Sequence, residues 1–182
     1  MYCPTKSFFY KARSKKLFIV FFSLSLIISC GYQEPYYTPK LSSLELDQIA
    51  KKFKHENDKA VIYIFNKSTN YSVRVPIVIN GTEICNLVGP TYVKFEVMPG
   101  VREIISKTEN HNSWKIGTYS TNIISSPEND SRLLLRVEAN EIYYLQLVPT
   151  WKKQISFQLQ EVSEKQSKKS ILRRRLVETK IP

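Results

Sequence analysis

His55 and His111 are the only histidines in this 182-residue chain, and both sit in polar stretches without a metal-ligand partner at suitable spacing. Each reads as a solvated surface side chain. Cys85 has no basic or histidine neighbour to lower its pKa, so it reads as a small buried apolar residue rather than a reactive thiol. Glu138 and Glu141 flank a turn, where exposed charge explains them without an acid–base role. Glycine occurs only 5 times, and no phosphate-cradling loop is present. No catalytic constellation, metal site or cofactor motif is therefore expected. Two patterns do point to binding. The rings of Trp114, Tyr119 and Trp151 could stack on sugar faces, with ordinary ring packing as the competing explanation. Lys168, Lys169, Arg173, Arg174 and Arg175 could meet an anionic lipid or cell-wall carboxylates, each basic residue contributing about 1 kcal/mol near such a surface. A solvated helix face is the competing explanation there.

Cys30 follows an apolar run from Leu17 to Ile28. Lys6, Lys11, Arg13, Lys15 and Lys16 precede that run with no acidic residue among them. A basic stretch ahead of about a dozen apolar residues has the makeup of an export signal, and it is shorter than the ~20 residues that cross a bilayer. The exit, Ile27-Ile28-Ser29-Cys30, resembles the lipobox of bacterial lipoproteins: an aliphatic residue, a tolerant position, a small residue and a cysteine. The resemblance implies cleavage between Ser29 and Cys30, diacylation of the Cys30 thiol and acylation of the new amino group. Two or more acyl chains anchor stably where one does not. Gly31 is not the aspartate associated with inner-membrane retention, so the expected location is the periplasmic face of the outer membrane.

Removing the first 29 of 182 residues leaves 153, enough for one ordinary domain. It also removes 5 of the 27 basic residues and none of the 16 acidic ones, which lowers the formal charge from +11 to +6. A nucleic-acid partner is thereby disfavoured, and export disfavours it further. With Cys3 removed and Cys30 acylated, Cys85 has no partner for an intramolecular disulfide.

The elements that would position these residues follow in order. Residues 30–41 read as the lipidated cysteine and an extended tether carrying Pro35, Pro39, Tyr36 and Tyr37. In residues 42–57, Ser42 and Glu45 have capping-box spacing, and Leu46, Ile49, Ala50 and Phe53 fall at i, i+3, i+4 and i+7, predicting an amphipathic helix over 43–54. From 58 to 162 the period becomes that of strands. Ala60–Phe65 is apolar on both faces, as a doubly covered central strand would be. Val73–Ile79 and Thr82–Leu87 flank Asn80-Gly81, a hairpin signal, and Pro76 asks for an edge or a bulge. Tyr92–Val97 and Val101–Lys107 follow, with polar interruptions at Glu109–Asn112 and Ser125–Ser131 around a weaker strand at Trp114–Ile124. Leu133–Val137 and Ile142–Val148 read as a further hairpin-like pair, and Ile155–Val162 as the last strand. The expected fold is all-β: an antiparallel β-sandwich of seven or eight strands. Residues 163–182 would add a basic helix, opened by Ser163 and Gln166 and running to Val177, and a tail.

The middle of the chain resembles a family of bacterial lipoproteins, the domain-of-unknown-function family 2846. The resemblance rests on Ala60-Val61-Ile62-Tyr63-Ile64-Phe65, Val78-Ile79-Asn80-Gly81-Thr82-Glu83-Ile84, Tyr92–Glu96 leading into Met98-Pro99-Gly100, and Val137-Glu138-Ala139-Asn140-Glu141-Ile142-Tyr143-Tyr144-Leu145. It covers about residues 58–178. Met98 stands where the family usually has a proline, and Asn140-Glu141 where it usually has Gly-Lys. The resemblance implies a β-sandwich lipoprotein without known catalytic activity. The expectation is a non-catalytic structural or protein-interaction module, held on the membrane through Cys30 and meeting an envelope protein or a cell-wall component. The alternative is a binding module for cell-wall glycan.

Overall fold

The computed structural model describes residues 37–54, 57–71, 73–112, 122–125, 130–151 and 155–180, with 110–112 and 122–125 described by backbone alone. The apolar run, Ser29, Cys30, most of the tether, His55, Trp114 and Tyr119 lie outside these residues. Among the described residues the chain is mostly β, with two sheets and two helices. Eleven strands occur among the described residues, more than the seven or eight expected.

β1 (Ala60–Asn66) is buried along its whole length and lies in the middle of a five-stranded sheet of order β10-β9-β1-β4-β11. Its partners are β4 (Thr91–Val97), β9 (Ile142–Trp151), β10 (Ile155–Glu161) and the two-residue β11 (Arg175–Leu176). The two-residue period of a strand splits β1 between two hydrophobic clusters. Ala60, Ile62 and Ile64 face the second sheet, sharing one cluster with Val75, Ile77 and Leu87. Val61, Tyr63 and Phe65 face the other way, against Ala50 and Ile171 of the helices and Leu176 of β11. That is why the run is apolar on both faces.

The second sheet contains β2 (Val73–Ile79), β3 (Thr82–Val88), β5 (Gly100–Ser106), β6 (Glu109–Asn112), β7 (Asn122–Ser125) and β8 (Ser131–Val137). β2 and β3 form the expected hairpin, with Asn80 at φ 47° and Gly81 at φ 83° in the turn. Pro76 is accommodated inside the sheet. The β2–β3 register shifts between Ile77 and Val78, and on the other side the ladder breaks into β5, opposite Ile77–Ile79, and β6, opposite Val73–Arg74. Proline has no N–H to give to that ladder, and at the break Lys107 N–H donates to the Pro76 carbonyl at 2.9 Å. Glu109–Asn112 is thus a strand rather than a polar interruption; pairing with β2 and the Arg74–Glu109 ion pair at 2.5 Å hold it, without an apolar pattern.

The expected purely antiparallel arrangement does not hold, because β1 and β9 pair in parallel, as do β4 and β11. For the same reason β8 and β9 do not form a hairpin. β8 pairs with β5 in one sheet while β9 enters the other. The turn between them, with Asn140 at φ 63°, is bonded to the segment before β1: Asn140 N–H donates to the Lys59 carbonyl at 2.8 Å, which starts β9 alongside β1.

The helices are shorter than their patterns suggest. α1 spans Leu44–Ala50 and is capped by Ser43, whose hydroxyl accepts from Leu46 N–H at 3.2 Å, rather than by Ser42. Of the expected stripe Leu46, Ile49, Ala50 and Phe53, Ala50 faces inward beside Asp47 and Phe53 packs against the same cluster, while Leu46 and Ile49, like Leu44, are exposed. α2 spans Glu164–Ile171; Ser163 makes no side-chain cap, and the chain turns at Leu172–Arg174 into β11 instead of remaining helical to Val177.

Candidate functional site

The residues chosen for chemistry do not converge. Trp151 stands at the end of β9 with 76% of its surface exposed, while Trp114 and Tyr119 belong to residues outside the description. Cys85 is 1% exposed within the core, where burial raises its thiol pKa, with Glu83 adding to the effect. It is a packing residue. Among the described residues, no group of three histidine, cysteine or carboxylate side chains could hold a metal.

The basic run is divided by the fold. Lys168 pairs with Glu164 one turn earlier and lies 5.1 Å from the centroid of the Phe53 ring. Arg175, in β11, faces Asp47 at 4.0 Å. Lys169, Arg173 and Arg174 instead share a hollow of about 310 Å3 with Lys67, which comes from the segment after β1. Arg174 is the fixed member. Its Nε donates to the Asn66 carbonyl at 2.9 Å, its Nη1 to the Ser170 carbonyl at the end of α2, and its guanidinium lies 5.4 Å from the centroid of the Phe65 ring. Burial, and then the neighbouring Arg173 charge, holds its pKa below the usual arginine value. Lys67 has no sequence signal linking it to residues 169–174, and only the turn after α2 brings them together.

A second feature that sequence reasoning missed is centred on Asp47, which is 4% exposed. Its Oδ1 accepts Leu176 N–H at 2.9 Å and the Tyr92 hydroxyl at 2.9 Å, and its Oδ2 accepts Lys51 Nζ at 2.7 Å. Burial pushes the carboxyl pKa up, but the hydrogen bonds from Lys51, Leu176 and Tyr92 outweigh it and leave the group below its ordinary value. Lys51 also donates to the Arg174 carbonyl at 2.7 Å, and Tyr63 donates to the Ala50 carbonyl at 2.7 Å. These bonds join α1, β1, β4 and β11. A buried, fully bonded carboxylate of this kind holds segments together rather than performing acid–base chemistry.

A hollow of about 620 Å3 runs between the sheets. Ile79 and Ile84 on one side and Phe95 and Val97 on the other make it apolar, and Lys59, Lys94 and Glu96 rim it. Lys94 lies 2.9 Å and Lys59 3.6 Å from the Glu96 carboxylate. β4 borders the groove with an open edge: β11 covers only Thr91 and Tyr92, and among the described residues no strand is paired beside Val93–Val97 on that side. Val177 N–H donates to the Tyr92 carbonyl, so the period of the strand turns the backbone groups of Lys94 outward on the same edge. The groove therefore combines an apolar floor, charged rim groups and strand-pairing capacity. No family model matches this chain, and no curated protein matches it.

Proposed function

We propose that this protein is a lipid-anchored β-sandwich of the bacterial cell envelope, resembling the domain-of-unknown-function family 2846, that serves as a non-catalytic protein-interaction module. Acylation at Cys30 holds it on the membrane, with the periplasmic face of the outer membrane as its location. The observation that carries the interaction role is the open β4 edge above the 620 Å3 groove. An extended partner segment can add to such an edge through main-chain hydrogen bonds while alternate side chains enter the apolar floor. Thr82 borders the groove, whereas Arg132 lies on β8, outside it. A photo-crosslinking residue at Thr82 should capture one defined envelope protein in cells, and the same residue at Arg132 should not. Equal capture at both positions, or none at Thr82, would remove the groove from consideration.

The exposed Trp151 ring favours a second reading, a contact with cell-wall glycan. That reading expects retention of the protein on insoluble peptidoglycan that Trp151→Ala abolishes. Retention unchanged by the substitution would leave the ring without a role in it.

A further inference from the structure

The basic hollow has a built component that a scattered surface charge lacks. The Arg174 guanidinium is held by Asn66, Ser170 and the Phe65 ring. A guanidinium has five N–H groups. Two are used in these bonds, so three remain on a group that is already immobilised and loses little freedom when a ligand arrives. Lys67, Lys169 and Arg173 add three cations around the same 310 Å3 space, and Thr69 and Ser170 also line it. None of those three cations is ion-paired to a carboxylate among the described residues, and no carboxylate lines the hollow. Like charges gathered without a counter-charge raise the electrostatic energy of the free protein, and an anion placed among them lowers it.

We propose that this hollow binds a phosphoryl group, as a phosphate ester or as inorganic phosphate. A carboxylate offers two oxygens, whereas a phosphoryl group presents more acceptors around a tetrahedral centre. That suits a guanidinium fork together with lysine point charges approaching from other sides. The headgroup of an anionic phospholipid and a soluble phosphate ester share this chemistry. The hollow contains none of the residues on which the proposed acylation rests.

The test uses the full-length chain in detergent, titrated separately with inorganic phosphate, with dioctanoyl phosphatidylglycerol and with dioctanoylglycerol, which carries no phosphate. The amide NMR signals of Thr69 and Ser170 report occupancy. Saturable shifts are expected with a phosphoryl ligand and not with dioctanoylglycerol; tighter binding of phosphatidylglycerol assigns a lipid headgroup, and tighter binding of phosphate assigns a soluble ester. Lys67→Gln and Arg173→Gln alter exposed side chains and should each weaken binding about tenfold, the size of one lost charge-assisted contact. Lys165→Gln, exposed on α2 outside the hollow, should change it less than about twofold because solvent and salt screen its charge. Absence of saturable shifts, or equal weakening by all three substitutions, overturns the proposal.

Discussion

The carboxylate of Asp47 accepts the backbone N–H of Leu176 at 2.9 Å, joining residues 129 positions apart. The bond fastens α1 to β11, and the same carboxylate holds Tyr92 on β4 and Lys51 at the end of α1. Removing one partner of such a buried charged pair costs about 3–5 kcal/mol, because the other charge is left uncompensated. Asp47→Ala is therefore expected to lower the urea midpoint by an amount corresponding to about 3 kcal/mol. Asp47→Leu combined with Lys51→Met should lose less than the sum of the two single changes. Strict additivity in that cycle would mean that the pair is not coupled.

Acid should act through the same residue. The folded Asp47 carboxyl lies below its ordinary value, so between the folded and unfolded pKa values the unfolded chain binds more protons. The stabilisation is fully present above the unfolded pKa, about 3.9, and is lost as pH falls through the folded value. Glu83, held below its usual value chiefly by the Lys180 hydrogen bond, acts in the same direction. Asp130, raised by burial, acts in the opposite one, favouring the folded state at low pH. Unfolding free energy measured from pH 6 down to pH 2 should fall more steeply in the parent than in Asp47→Asn. Parallel curves would exclude Asp47 as the main acid-sensitive group.

The central strand and the Asn80-Gly81 hairpin were legible because each is a local pattern: apolar residues on both faces, and a dipeptide that accepts positive φ twice. Partner choice was not local. Nothing in residues 137–142 distinguishes a hairpin from a crossing between sheets; the bonds from Asn140 and Asp58 across to the neighbouring segment decide it. Half of the α1 stripe, Leu46 and Ile49 but not Ala50 and Phe53, misled for a similar reason. Leu46 and Ile49 have helical spacing, but the Lys51, Tyr92 and Leu176 donors turn Asp47 inward and leave those leucine and isoleucine side chains exposed. The basic run was visible as composition, yet its division into a hollow and two separate ion-paired residues depends on a turn at Leu172–Arg174 that charge periodicity does not signal.

Gly89 has φ 58°, and a Cβ placed there would meet the Tyr71 ring at 2.6 Å. Alanine at this position carries two costs, left-handed backbone strain of about 1 kcal/mol and displacement of the ring. Gly81, at φ 83°, has nothing within 4 Å of an added Cβ, so Gly81→Ala carries the first cost alone. Gly89→Ala should therefore destabilise the fold more than Gly81→Ala in thermal unfolding. In a Tyr71→Ala background the difference should close. A difference that persists there would place the clash elsewhere.

The Cys30 expectation rests on chemistry as simple as a missing sulfur. If diacylation of the thiol provides the anchor, each buried methylene contributes about 0.8 kcal/mol and two chains suffice for stable attachment. Cys30→Ala offers no atom for the thioether, so radiolabelled palmitate should not enter the protein, and the chain should leave the membrane fraction or accumulate with its leader attached. Cys85→Ala is the matched control: its thiol is buried in the core, and the substitution should leave acylation intact even if stability falls. Label incorporated into Cys30→Ala at the parent level would eliminate the anchor reading while leaving the groove and the basic hollow to their own tests.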